Sequence, residues 1–272
     1  MHSTNRLPER SGAVPFLLMI LRPAALLMAA AALLSAQTPL VNEGKPVRVA
    51  FQCSEDDMNA AGLSCPPEEP CPVYLELNGF QAVGQRLFAS GDLHTNSATL
   101  YSVLLASEDA GHTWTEPYPR ESAVTLDQMQ FIDFQYGWIS GETIQPLPRD
   151  PFLLITTDGG KSWKEQPIFE DEHPGSIEKF RFDSRNDGVI LIDTGAGMRH
   201  QLFESKTGGM NWMMLHESAD PVPFPASHGI AETSGWRLRP DASTHSYQIE
   251  KLEGERWTSV ASFLVEVGSC HE

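Results

Sequence analysis

The chain has 272 residues, with 36 acidic against 19 basic side chains and a formal net charge of −17. That balance excludes nucleic acid and anionic lipid as principal partners, because both require a cationic contact surface. The length is ample for one large all-β domain.

The N-terminus reads as a targeting segment rather than as fold. Arg6, Arg10 and Arg22 precede an apolar run at residues 24–34, and Ser35 and Ala36 follow it. This pattern predicts a secretory signal over residues 1–36, cleaved after Ala36, with export to the periplasm or beyond. A retained anchor is the rival reading, since residues 16–36 nearly reach the length of a bilayer span. Arg22 and Pro23 interrupt that run, so no membrane insertion is expected after cleavage. Without those 36 residues, which hold three Arg and one Glu, 16 basic face 35 acidic side chains, a net charge of −19.

Four cysteines in an exported chain favour disulfides over thiol chemistry. Three pairings are open. Cys65 with Cys71 and Cys53 with Cys270 is favoured, because the first closes a short Pro-rich loop and the second ties the two ends together. A zinc site lacks any paired C-x-x-C or nearby His, so neither metal nor cofactor is expected. Residues 47–53, VRVAFQC, alternate as a strand should, and the acidic, Pro-rich stretch at 54–72 is expected to be an irregular loop.

Beyond residue 73 the chain repeats. The run TTDGGKSW at 156–163 has a second copy at Ser107, Asp109, Gly111 and Trp114, in the same frame as Thr156, Asp158, Gly160 and Trp163. A worn copy keeps Ser205, Gly209 and Trp212 but has Thr207 for the carboxylate, and a fainter one keeps only Gly254 and Trp257. The tryptophans are 49, 49 and 45 residues apart, a period that points to stacked supersecondary units. Each unit offers four short apolar runs separated by turn residues. In the second unit these fall at residues 131–134, 137–140, 152–157 and 163–168. The fold class expected is therefore all-β: a small β-propeller of four four-stranded blades plus a terminal piece that can count as a fifth. Its divisions are the signal at 1–36, an N-terminal strand and Cys/Pro-rich loop at 37–72, and the repeat domain at 73–272, closed by residues 47–53.

The repeated turn resembles the Asp-box of bacterial neuraminidase repeat (BNR) propellers. Pairing YGWISG with a later TTDGGKSW looks like the photosystem II assembly-factor branch of those propellers. The resemblance covers residues 73–257. It implies fold more than activity, because such boxes occur in sialidases, sorting receptors and assembly factors alike. The chemistry of the box explains why. A short carboxylate accepts backbone N–H bonds inside its own turn, glycine supplies backbone angles closed to side chains, and tryptophan buries a large ring.

If the box joins the third and fourth strands, the loops joining second to third emerge on the opposite face. Those loops carry His94, Arg149, Arg199 with His200, and Arg239 with His245. Such a set suits a carboxylate or an acidic peptide. The function expected is a non-catalytic, exported protein-binding or assembly module with no catalytic residue, recognising a protein or acidic peptide through that face. No G-x-S-x-G, H-E-x-x-H or P-loop is present. The alternative is a sialidase-like glycoside hydrolase, or a glycan-binding module, whose arginines clamp a carboxylate and whose nearest Tyr and Glu are Tyr136 and Glu142. Nothing in the sequence reads out the oligomeric state.

Overall fold

The computed structural model describes residues 39–144, 147–225 and 235–271. The signal expected over residues 1–36 lies outside them. Among the described residues no helix is long and apolar enough to cross a membrane.

The described chain is built almost wholly of antiparallel sheet. A short strand β1 (Leu40–Val41) precedes the one helix among the described residues, α1 (Glu55–Ala61). This helix stands where an irregular loop was expected, and its cause is local. The Ser54 hydroxyl accepts the Asp57 N–H at 3.1 Å, while the Asp57 carboxylate accepts the Ser54 N–H at 2.7 Å. Glu55, Asp56 and Asp57 in the first turn favour its N-terminus, and Gly62 closes it in a left-handed conformation.

The first unit comprises β2 (Cys71–Val83), β3 (Arg86–His94), β4 (Thr99–Ser107) and β5 (Thr113–Trp114). The second is β6 (Val124–Phe131), β7 (Gly137–Thr143), β8 (Arg149–Thr156) and β9 (Lys164–Pro167). The third is β10 (Ser176–Phe182), β11 (Gly188–Asp193), β12 (His200–Ser205) and β13 (Met213–Ser218). In the second and third units, four consecutive strands pair in sequence order. The fourth unit is a three-stranded sheet of β14 (Trp236–Asp241), β15 (Ser246–Glu253) and β16 (Arg256–Leu264).

The terminal strand β17 (Glu266–Cys270) pairs antiparallel with β2 and completes the first sheet in the order β17-β2-β3-β4. No regular strand forms over residues 47–53. That expected strand is reduced to an isolated parallel bridge from Val47 to Phe263. The alternation in VRVAFQC is still used, with Val47 and Val49 buried while Arg48 and Ala50 face water. Both disulfides form as the cysteine spacing suggested, Cys53 to Cys270 and Cys65 to Cys71. The first ties residues 217 apart and anchors β17 beside the start of β2.

Apolar layers join the fourth unit to the first, the first to the second and the second to the third. Phe263, Ile249 and Ala261 of the fourth unit share a core with Leu75, Leu87 and Trp114 of the first. Leu104 of the first meets Leu126, Ile139 and Leu154 of the second. Trp138 and Leu153 of the second meet Phe180, Phe182 and Ile190 of the third. Two aromatic stacks repeat in this arrangement. Phe88 lies on Phe131 at 4.7 Å, and Trp138 lies on Phe182 at 3.9 Å, in each case a second-strand ring against the next unit's first strand.

Two expected elements shift. The first strand of the second unit runs over Val124–Phe131 rather than residues 131–134, of which 132–134 lie in the following turn. A bulge between Leu126 and Met129 breaks its period-two pattern and hid it. The fourth copy of the turn is not a box: Gly254 serves a tight hairpin between β15 and β16. Trp257 is an exposed strand residue under Arg237, whose guanidinium carbon lies 4.1 Å from the ring centroid.

Candidate binding face

The repeated turns close on themselves. Thr156 Oγ1 accepts the Gly160 N–H at 2.8 Å, and Asp158 accepts the amides of Lys161 and Ser162 at 3.1 and 3.0 Å. The Ser162 hydroxyl adds a 2.6 Å bond to Asp158, and the Trp163 indole N–H donates to the Gly160 carbonyl at 3.1 Å. Burial raises the Asp158 pKa, but these donors outweigh it and hold the carboxyl at about 2. Ser107, Asp109, Gly111 and Trp114 make the corresponding bonds in the first unit. The third copy is looser. Thr207 Oγ1 accepts the Asn211 N–H at 2.9 Å, and Ser205 Oγ accepts that of Gly209 at 2.9 Å. The buried Trp212 Nε1 has no partner among the described residues.

These turns also lock each unit to the one before it. A Cβ on Gly160 would stand 2.4 Å from the Phe88 ring, so only glycine allows this approach. Arg86 of the first unit donates to the carbonyls of Gly159 and Phe134, and Trp138 Nε1 of the second donates to Gly208 O at 2.9 Å.

The turns also orient the units. The loops joining first to second strands lie beside them, through Ala110 N–H to Gln85 O, Gly159 N–H to Gln135 O and Gly208 N–H to Asn186 O, each 2.9 Å. In an antiparallel sheet the loops joining second to third strands then lie at the other end. His94, Arg149, Arg199, His200 and Arg239 are on or beside that end.

Each of these side chains has its own carboxylate. Arg149 reaches Glu172 at 3.3 Å and Asp150 at 3.8 Å. Arg199 Nε donates to Asp193 at 2.6 Å across its hairpin. Arg239 Nη2 lies 3.3 Å from Glu250 and 3.8 Å from Asp241. His94 Nε2 is 3.7 Å from Glu76, and the nearly buried His200 Nδ1 is 3.5 Å from Glu178. The three arginines pair with different carboxylates, and none of these is shared between two of them.

Reading the loops for cations missed a row of carboxylates at the same end. Asp92, Glu142 and Asp193 hold one register position in the second strands, opposite Glu76, Thr125 and Ser176 of the first strands. Asp241 ends β14 comparably. Their recurrence at positions 92, 142 and 193 was the available signal, but the strands around them share too few residue types to announce it.

Their environments differ. Asp92 is nearly buried and accepts the Thr125 hydroxyl of the second unit at 2.7 Å. Burial pushes its pKa up despite that bond. Asp127 on β6 is also raised, chiefly by burial and further by the Glu76 charge. Glu142 is raised to about 7: burial dominates, Asp127 adds to it, and the Ser176 hydroxyl opposes it. Its Oε2 is buried with no partner among the described residues. Asp193 moves the other way, because the Arg199 hydrogen bond favours its charged form.

Glu76, Asp92 and His94 line an open cleft of about 460 Å³, with one donor atom from each within 4.8 Å of the others. They are the only such group among the described residues close enough to share a metal ion.

Four antiparallel units, three of them closed by a box whose glycine packs closely on neighbouring side chains, decide the architecture. The chain folds as an Asp-box β-propeller. No family model matches it, and no curated protein does. Among solved structures it is similar to YCF48 bound to D1 peptide, at 20% identity over 73% of this chain and 55% of that one, TM-score 0.37. YCF48 from Cyanidioschyzon merolae matches at 17% identity over 70% of this chain and 57% of that one, TM-score 0.37. A phage phi92 endosialidase matches at 12% over 77% and 44%, TM-score 0.40. The propeller thus spans about half the length of these structures, and the likeness is one of fold.

Proposed function

We propose that this propeller is an exported, non-catalytic module that captures a partner protein, taking an acidic segment of it on the face opposite the boxes. The observation that carries the proposal is how the three arginines there are held. Arg149, Arg199 and Arg239 are each steered by a carboxylate yet remain 36%, 51% and 44% exposed. An exposed ion pair is worth at most about 1 kcal/mol, so an incoming carboxylate can share or replace the internal one at small cost. A guanidinium offers five donors, and Arg199 commits only Nε and Nη2 to Asp193.

Glycoside hydrolysis finds no support in the nearest Tyr and Glu. Tyr136 precedes β7 on the box side, beneath Arg185 at 4.2 Å, while Glu142 sits at the far end of that strand. Six residues of extended chain separate them by about 20 Å, too far for a shared nucleophile.

The test is cross-linking capture from the native envelope with the full chain and with an Arg149→Ala, Arg199→Ala, Arg239→Ala variant. A specific partner retained by the wild type and lost by the variant supports the reading. A partner held equally by both, or turnover of a fluorogenic sialoside abolished by Arg149→Ala, would overturn it.

A further inference from the structure

A second surface, on the flank between the second and third blades, has a different chemistry. An open cleft of about 710 Å³ runs from the end of β9 to the third, worn box. Its apolar side is Ile168, Met210 and Trp212, and its rim is Glu170, Asp171 and Glu172. The apolar surface continues onto β13, the last strand of its sheet, where Met213 is 60%, Met214 44% and Leu215 48% exposed. Exposed apolar residues gathered on an edge strand beside a cleft mark an interaction site more than a solvated surface.

The worn box is what makes this cleft different from its counterparts. In the two complete boxes the indole N–H is consumed by the turn's own glycine carbonyl. Trp212 makes no such bond, so a buried donor lines the cleft with no partner among the described residues. An unpaired buried donor is costly, and a carbonyl from an incoming chain would satisfy it. The rim decides the sign of the partner. Glu170 and Asp171 form no ion pair or hydrogen bond with any described residue, and Arg149 is the one described cation paired to the rim, through Glu172. Asp150 adds a fourth carboxylate to the lining.

We infer that this cleft and the β13 edge bind an extended cationic segment of a partner protein, with apolar side chains on Trp212 and the methionines and Lys or Arg at the acidic rim. This surface meets the arginine-bearing face at the Arg149 to Glu172 pair, and Arg199 and Arg239 take no part in it.

The test measures fluorescence anisotropy of a labelled peptide of four Leu-Lys repeats on the full chain, with a Leu-Glu peptide as control. The Leu-Lys peptide should bind and weaken as salt is raised, and the Leu-Glu peptide should not bind here. Glu170→Gln with Asp171→Asn and Glu172→Gln, all exposed and away from the core, should weaken Leu-Lys binding about tenfold. Met213→Ser with Met214→Ser should weaken it by a similar factor, while Arg199→Ala with Arg239→Ala should leave it unchanged. Equal affinity for the neutralised rim, no binding of the Leu-Lys peptide, or equal binding of both peptides would each overturn the inference. So would self-association of the chain abolished by the methionine substitutions, which would assign the patch to a second copy.

Discussion

Replacing Glu142 with Gln should stabilise this propeller at alkaline pH and hardly at all in acid. The carboxyl titrates at about 7 in the fold, against an ordinary value of 4.5, chiefly because it is buried. A group whose folded pKa is raised keeps its proton in the native state after the unfolded chain has released it. Stability therefore falls as pH climbs from about 4.5 to about 7, and the full penalty is in place above that window. At about 1.4 kcal/mol per pKa unit, the shift corresponds to roughly 3 kcal/mol. Gln keeps the size of the side chain and removes the charge. Its stability relative to wild type should thus be near zero at pH 4.5 and rise toward about 3 kcal/mol at pH 8. For a domain of this size that is a gain of about 6–12 °C in Tm at pH 8. Urea titrations at both pH values check it. Parallel stability profiles for the two proteins, offset by a constant, would show that Glu142 does not carry the buried charge assigned to it.

The disulfides should differ sharply in worth. Cys53→Ser with Cys270→Ser opens a loop of 217 residues and should cost about 5 kcal/mol on a chain-entropy basis, while Cys65→Ser with Cys71→Ser opens one of 6 and should cost about 2. Denaturant midpoints of the two variants, measured without reductant, compare them directly. Gly160→Ala places a Cβ 2.4 Å from the Phe88 ring at φ +85° and should cost about 2–4 kcal/mol. Gly254→Ala, at φ +65° with open space around it, should cost only about 1 kcal/mol. Equal losses in thermal melts would mean that the box glycine serves its own turn alone.

The box was legible in the sequence because its bonds are local. Thr156, Asp158, Gly160 and Trp163 must stand at fixed separations for their side chains to reach amides two to four residues away. The faces of the blades were less legible, since a side chain that meets a residue some fifty positions on can change type without losing its role. Phe88 and Trp138 make the same stack, and no pattern of letters links them. The arginines were found as a recurring charge, but their carboxylate partners lie in other strands and links, and pairing is what sets their field. Bulges misled further. Leu126 and Met129 are both paired residues of β6, yet one extra residue between them reverses the alternation that marks a strand.

One repeated contact fastens the first two junctions between blades and changes at the third. The Gln81 side chain bonds both backbone groups of Phe131 in the next blade, at 2.6 and 3.3 Å, and Gln130 does the same to Phe182, at 2.7 and 2.9 Å. The position equivalent by register in the third blade is Arg181, opposite Val189 as Gln130 is opposite Trp138. Arg181 cannot accept an amide. It donates instead to Pro225 O and lies 5.6 Å from the Phe224 ring. A segment without regular strand thus stands where the first two blades each present a strand. The third blade lacks the clamp on that side, while its box, with Thr207 in place of the carboxylate, faces the second blade, where the Gln130 clamp is intact. The Cys53 to Cys270 bridge and the pairing of β17 with β2 fasten the fold elsewhere by covalent and backbone means. The cleft beside Trp212 lies on the other side of the third blade, where the Gln130 clamp and the Trp138 to Gly208 bond hold it to the second, so the opening there comes from the worn box and not from a missing clamp.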